Sequence, residues 1–457
     1  MKSGLRLRLV TRVLFATFRS ALDRLREFPG VAFVASSAQL YEWVAEADPA
    51  MFEEIRGRVL EGRWNVVGGW WIEPDLNCPG GESLVRQGLY GQRFFRERLG
   101  RAARVGFNPD SFGHPWTLPQ ILRGQGLEAY VFMRPGPHEK PELPAPLFRW
   151  EGPDGTRILA IQILESYNDG EWDLERRIEI HRERFEKDLP SVRAGALFYG
   201  VGNHGGGPTV AAIRRIHELA SANPAVRFGS LDGYVDLVQP AADGLPVVRD
   251  ELQHHARGCY SAEAGTKALN RQSESALLTA EKTSSLATAL LGLDYPSAPL
   301  RASWKKVLFN QFHDILAGSS IEAAYVEARQ DYGYALSTAA DATTRALHRI
   351  AEAVGHRSSS STPRRGRPVG RSRSRSSASR GESRQCCATT PAPPWPTRRS
   401  GPPGRRWGAG FAPSSTRPSP AWATASIAST SAGARSDRRP RVVSSPPAGP
   451  WSPSSSA

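Results

Sequence analysis

The chain has 457 residues, room for two or three domains, and a formal charge of +14. That charge is concentrated at one end: from Arg357 to Ala457 there are 18 Arg, no Lys and two acids, a net of +16 that leaves −2 for everything before it. A near-neutral body argues against a nucleic-acid partner there, and no stretch reaches the roughly 18 apolar residues of a membrane span.

The start, "MKSGLRLRLVTRVLFATF", is basic and then apolar. Arg12 interrupts the apolar run and no small-residue cleavage site follows, so it does not read as a secretory signal. "ATFRSALDRLREF" has helical periodicity, "VAFVASS" is a short strand, and "SAQLYEWVAEADPAMFEEIRGRVLEG" is helical up to Gly62. "WNVVGGWWI" reads as a strand, "SLVRQGLYGQRFFRERLG" as a helix, and "ARVGFNPD" as a strand ending on Asp110. A helix "LPQILRGQGL" and a strand "AYVFMR" follow, then a hairpin, "LFRWEGPDGTRILAIQI", turning at Pro153-Asp154-Gly155. "AGALFYGVGN" is a strand that runs into the loop "HGGGPT" and the helix "VAAIRRIHELASA".

This alternation predicts an α/β fold with a largely parallel, barrel-like sheet and flanking helices over residues 1–250. In such sheets functional residues gather at the carboxyl ends of the strands. Asp110, Arg134 and the Asn203–His204 loop all fall at such ends. Residues 251–355 read instead as long helices of period near 3.6, a three-helix bundle. Within it, "NQFHDILAGSS" carries His313 and Asp314 just before Gly318. That pair is either a metal ligand with a charged neighbour or an ordinary helix-end polar pair; composition alone favours the ordinary pair.

The last segment, 356–457, has no Leu and is dominated by Ser, Pro, Arg, Gly and Ala. It cannot bury enough apolar surface to offset its chain entropy, and is expected to be disordered. "GRSRSRSSASR" is compatible with RNA binding, but the composition is better matched by a GC-rich gene read out of frame from about Gly355. The four cysteines form neither a disulfide framework nor a C-x-x-C site. That points to a reducing, cytoplasmic setting.

Four segments, in order, resemble glycoside hydrolase family 38, the retaining α-mannosidases, on its bacterial and cytosolic-type branch: "VVGGWWIEPDLNCPGGESLVRQGLYGQRFF", "NPDSFGHPWTLPQIL", "YGVGNHGGGPT" and "LFNQFHDILAGSSI". The resemblance covers roughly 13–354. It implies an α/β domain and a helical middle domain acting on an α-mannoside oligosaccharide or glycan fragment. It further implies that Asp110 is both the covalent nucleophile and a zinc ligand, that His313 is a second zinc ligand, and that Asp314 bonds sugar hydroxyls. Arg134 and Tyr167 would line the site. Trp70, Trp71 and Trp116 would wall it, or else pack in the core.

Some features depart from the family pattern. The His-x-Asp strand that completes the family's zinc site is missing from the first twelve residues, which contain no His and no Asp. An open metal pocket and an unpaired sheet edge are therefore expected. Asn203 stands in the loop that carries the general acid, leaving His204 as the candidate. Ala256 replaces a ring, and the basic tail stands where β-sandwich domains follow. Three readings compete: a truncated α-mannosidase, a catalytically dead sugar-binding remnant, and a basic tail that binds RNA.

Overall fold

The structure is a computed structural model and describes residues 5–167, 173–192, 194–202, 205–253, 256–359 and 424–431. The chain opens on helix α1 (Leu5–Glu27), strand β1 (Phe33–Ala35), α2 (Ala38–Ala47), α3 (Pro49–Leu60) and β2 (Trp64–Val66). Next come α4 (Gly81–Phe94), a π-helical turn Phe95–Leu99, β3 (Val105–Phe107), β4 (Gly113–His114), α5 (Leu118–Gly124) and β5 (Ala129–Phe132). The hairpin β6 (Leu147–Glu151) and β7 (Arg157–Gln162) leads to α6 (Leu174–Asp188), β8 (Ala194–Tyr199), α7 (Val210–Ala222), β9 (Val226–Gly229) and α8 (Leu231–Val238). Two short strands, β10 (Val247–Val248) and β11 (Leu252–Gln253), precede the helices α9 (Ala264–Leu291), α10 (Ser297–Asn310), α11 (His313–Leu316) and α12 (Glu322–Ser359).

Two boundaries moved for local reasons. The single helix expected over 37–62 is two, because Pro49 brings no N–H to a continuing helix and Asp48 instead caps α3 by accepting from Met51 N at 2.9 Å. The strand expected over 64–72 stops at Val66, since Gly68 and Gly69 take φ of 80° and 74°, which a strand cannot continue through.

The pairings β1–β2, β3–β5, β5–β7 and β6–β10 are parallel, and β6–β7 is antiparallel. They belong to two five-stranded sheets, β2-β1-β12-β8 with β9 on β12, where β12 is Thr424–Ser431, and β10-β6-β7-β5-β3. Gly68 N donates to Val105 O at 2.7 Å and stitches the end of the first sheet to the second. The strand faces confirm the barrel-like arrangement. One buried cluster takes Val34, Val67, Val105, Phe107, Val131, Ile161 and Phe198; the residues between them on the same strands, Phe33, Ala35, Tyr130, Phe132 and Tyr199, belong to the other cluster, with the helices. This is the period of two that puts alternate side chains inside and outside a curved sheet.

The twelfth strand, β12 (Thr424–Ser431), comes from the tail. It runs antiparallel to β1, β8 and β9, pairing Val34 with Ala425 and Ala196 with Ser429. The expected unpaired edge at β1 is therefore covered, and these eight tail residues are not irregular. Elsewhere the disorder expected of the tail concerns residues outside those described. The bundle's last helix continues to Ser359, past the expected end near Gly355. Among the described residues no helix is long and apolar enough to cross a membrane.

Candidate active site

Asp110 follows β3, on a turn bound to the end of β5: Asn108 N donates to Val131 O at 3.1 Å, and Met133 N and Arg134 N both donate to Pro109 O. The carboxylate is 6 % exposed. Tyr167 donates its hydroxyl to Asp110 Oδ2 at 2.7 Å, and Arg134 Nε lies 3.5 Å from Oδ1. Burial, and then the Asp110 charge, push the Tyr167 phenol far above its ordinary range, so it stays a neutral donor. His114 braces the turn from behind. Its Nδ1 accepts from Tyr130 at 2.8 Å and its Nε2 donates to Arg134 O at 2.6 Å.

The dipeptide Glu73-Pro74 joins this turn to the bundle. Pro74 O accepts from Asn108 Nδ2 at 2.9 Å and from Ser111 Oγ at 2.6 Å. Glu73 O accepts from His313 N at 3.2 Å and lies 3.1 Å from His313 Nδ1. Asp75 N donates to Gln311 O at 2.8 Å beside it. Two segments far apart in sequence, the Asp110 turn and the start of α11, are thus bound to one dipeptide. With Nδ1–H donating to a carbonyl, His313 keeps its lone pair on Nε2, which is buried and unpartnered among the described residues. This is the tautomer a metal-binding imidazole uses.

Glu73 was not singled out in the sequence. It is 3 % exposed, Ser36 Oγ donates to its Oε1, and its Oε2 has no partner among the described residues. Burial holds its carboxyl well above the ordinary carboxylate range, with a further push from the Asp110 charge and an opposing pull from Ser36. The available signal was the position of the acid: it closes the unbroken apolar run "WWI" that reads in the sequence as a strand end.

The other expected site residues are scattered. Asp314 accepts from Ser319 Oγ at 3.0 Å, a bond within its own turn. Trp116 is 38 % exposed and donates to Glu151 O. Trp70 donates to Gln125 Oε1 at 2.7 Å. Trp71, expected against substrate, is taken up by edge-on contacts with Tyr90 and Phe94 and by the Lys305 ammonium 4.4 Å from its ring centre. Asn203 and His204 lie outside the described residues.

Asp110 and His313 offer a carboxylate and a free imidazole nitrogen, both suited to zinc. Catalytic zinc takes three protein ligands, and the described residues include no group of three His, Cys, Asp or Glu that could hold a metal ion. Among the described residues Asp110 and His313 have no third such donor beside them.

A buried carboxylate steadied by a tyrosine and an arginine thus sits at the carboxyl ends of parallel strands on a barrel-like sheet. Residues 6–256 match the glycosyl hydrolases family 38 N-terminal domain and residues 254–350 the alpha mannosidase middle domain. The chain belongs to that family. It is 32% identical over 338 residues to alpha-mannosidase G of Dictyostelium discoideum, covering 73% of this chain and 31% of that one. Human alpha-mannosidase 2C1 is 32% identical over 321 residues, covering 68% of this chain and 30% of its own length. The chain thus spans about three tenths of the curated relatives it matches. An alpha-mannosidase structure from Enterococcus faecalis V583 shares the fold with a TM-score of 0.64 at 22% identity, over 76% of this chain and 41% of that chain.

Proposed function

We propose that the chain is the catalytic portion of a retaining α-mannosidase, with Asp110 as nucleophile. The observation that carries this is the Asp110 carboxylate itself, fixed by Tyr167 and Arg134 and joined to the His313 turn through Glu73-Pro74. In this reading Asp110 attacks the anomeric carbon of a terminal α-mannosyl residue. The glycosidic bond breaks, and the leaving oxygen takes a proton from a general acid, for which His204 is the candidate. Water then releases the sugar from Asp110. Tyr167, by donating to Oδ2, and Arg134, near Oδ1, hold the carboxylate in orientation. Asp314 would bond sugar hydroxyls.

Asp110 and His313 would contribute two ligands to a zinc ion, which when bound would polarise the sugar hydroxyls. The substrate would be an α-mannoside oligosaccharide or glycan fragment, and the setting cytoplasmic, in keeping with Cys78 and Cys259 both being free thiols. A sugar-binding protein without turnover is the second reading. The test is hydrolysis of an aryl α-mannoside by the full chain with and without added zinc, beside Asp110→Ala. Turnover that Asp110→Ala removes supports the first reading. Mannoside binding without turnover supports the second.

A further inference from the structure

A cavity of about 400 Å3 is lined in part by Trp71 and does not include Asp110 or Glu73 in its wall. Protein interiors leave few voids larger than a water molecule, and this volume is within the range of small-molecule sites. Its walls come from both matched domains: Tyr90, Phe94 and Arg98 on one side, Tyr295, Arg301 and Lys305 on the other. Sites of this kind favour such seams.

The charges in the wall are unevenly committed. Lys305 is paired with Glu42 and seated over the Trp71 ring. Glu281 is held by Arg86 at 2.6 Å and by the Trp304 indole at 2.9 Å. Arg93 and Glu97 pair with each other. Arg98 and Arg301 have no carboxylate partner among the described residues; Arg98 lies over the Phe52 and Phe94 rings, 5.3 and 5.8 Å from their centres. Two cations thus face the cavity without counter-charge. The wall also offers the partly exposed phenol of Tyr295 and the half-buried Tyr90, while the buried indole N–H of Trp71 has no acceptor.

The backbone is distorted at the same place. Arg98 is carried by the π-helical turn Phe95–Leu99, which ends on Gly100 at φ 75°. A π turn forfeits the regular helical ladder and frequently marks a functional site. Glu97 and Arg98, both on this turn, line the cavity.

We propose that this cavity binds a phosphorylated monosaccharide, the phosphate taken by Arg98 and Arg301 and the ring set against Tyr90 and Tyr295. Guanidinium groups match phosphate oxygens in fork geometry, and sugar rings lie well on phenol faces. The site is separate from the Asp110 turn and does not depend on the reaction proposed there.

The experiment is calorimetric titration of the full chain with a hexose 6-phosphate, the same hexose without phosphate, and inorganic phosphate. The hexose phosphate should bind more tightly than either part. Arg98 and Arg301 are both exposed, so Arg98→Gln and Arg301→Gln leave the fold intact, and each should weaken binding about tenfold. Asp110→Ala should leave it unchanged. The proposal is overturned if the hexose phosphate does not bind, or if inorganic phosphate binds equally well. It is equally overturned if the arginine variants bind like the parent, or if Asp110→Ala removes binding.

Discussion

Two seams join the α/β part to the helical bundle, and they are built on different terms. At the first, the Glu274 carboxylate is fully engaged: it accepts from Gly80 N at 2.9 Å, Ser83 Oγ at 2.6 Å, Gln311 Nε2 at 3.2 Å and Arg271 at 2.7 Å. At the second, around Glu73-Pro74, the carbonyls are satisfied but Glu73 Oε2, Asn108 Oδ1 and His313 Nε2 are not. Buried polar groups are normally all paired, and orphans are costly. A carboxylate with four donors acts as an adhesive between the two parts. Under the proposed function, the unpartnered atoms of the second seam are the ones a ligand would meet.

The largest expected effect is on chemistry at the second seam. Asp110→Ala should lower α-mannoside turnover by about a thousandfold or more, while thermal denaturation stays near that of the parent. Parent-like turnover would remove Asp110 from the mechanism. At the first seam, Glu274→Ala strands the Ser83, Gly80 and Arg271 donors and should cost about 3 kcal/mol, read as a shifted urea midpoint. A shift no larger than that of an exposed substitution would show that the two seams are not so different.

A smaller effect separates the seams by pH. Burial holds the Glu73 carboxyl well above the ordinary value of a free glutamate, about 4.5. An acid with a raised folded pKa binds its proton more tightly when folded, so stability is full below the unfolded value and is lost as pH rises from about 4.5 towards the folded value. Glu73→Gln keeps a neutral group there and should flatten that decline in a series of melting curves. Identical pH slopes for parent and variant would place Glu73 in a wetter setting than the geometry implies. The smallest effect is at Arg134, whose side chain is 39% exposed and 3.5 Å from Asp110. Arg134→Gln should weaken kcat/KM only several-fold, because a part-solvated pair is screened. A loss as large as that from Asp110→Ala would mean that the guanidinium touches the reacting sugar.

Much of this arrangement was legible in the residues. An apolar strand ending in Asn-Pro-Asp announces a carboxylate at a strand end, and the shift from strand–helix alternation to long helices marks the bundle. The short-range corrections also have readable causes, in Pro49 and in Gly68-Gly69. The position of Glu73 was not readable in the same way. Its surroundings are made by Ser36, by the Asp110 turn and by a histidine 240 positions away, and no local pattern encodes such a meeting. The same is true of the packing of Trp71, whose neighbours come from α4 and α10. β12 escaped for the opposite reason. "TASIASTS" has strand-compatible residues, but a tail poor in aliphatics gives no reason to expect a partner.

That strand has a consequence for how the molecule is made. β1 and β8 emerge from the ribosome early, and the segment that pairs with both arrives only after every helix of the bundle has been translated. Through that interval the N–H and C=O groups along Phe33–Ala35 and Ala194–Tyr199 lack their final ladder, and closing it demands contacts of very long sequence separation, the slow kind. A nascent chain should therefore recruit chaperones longest over this first sheet, while the β3–β5–β7 sheet, built from near neighbours, is already shut.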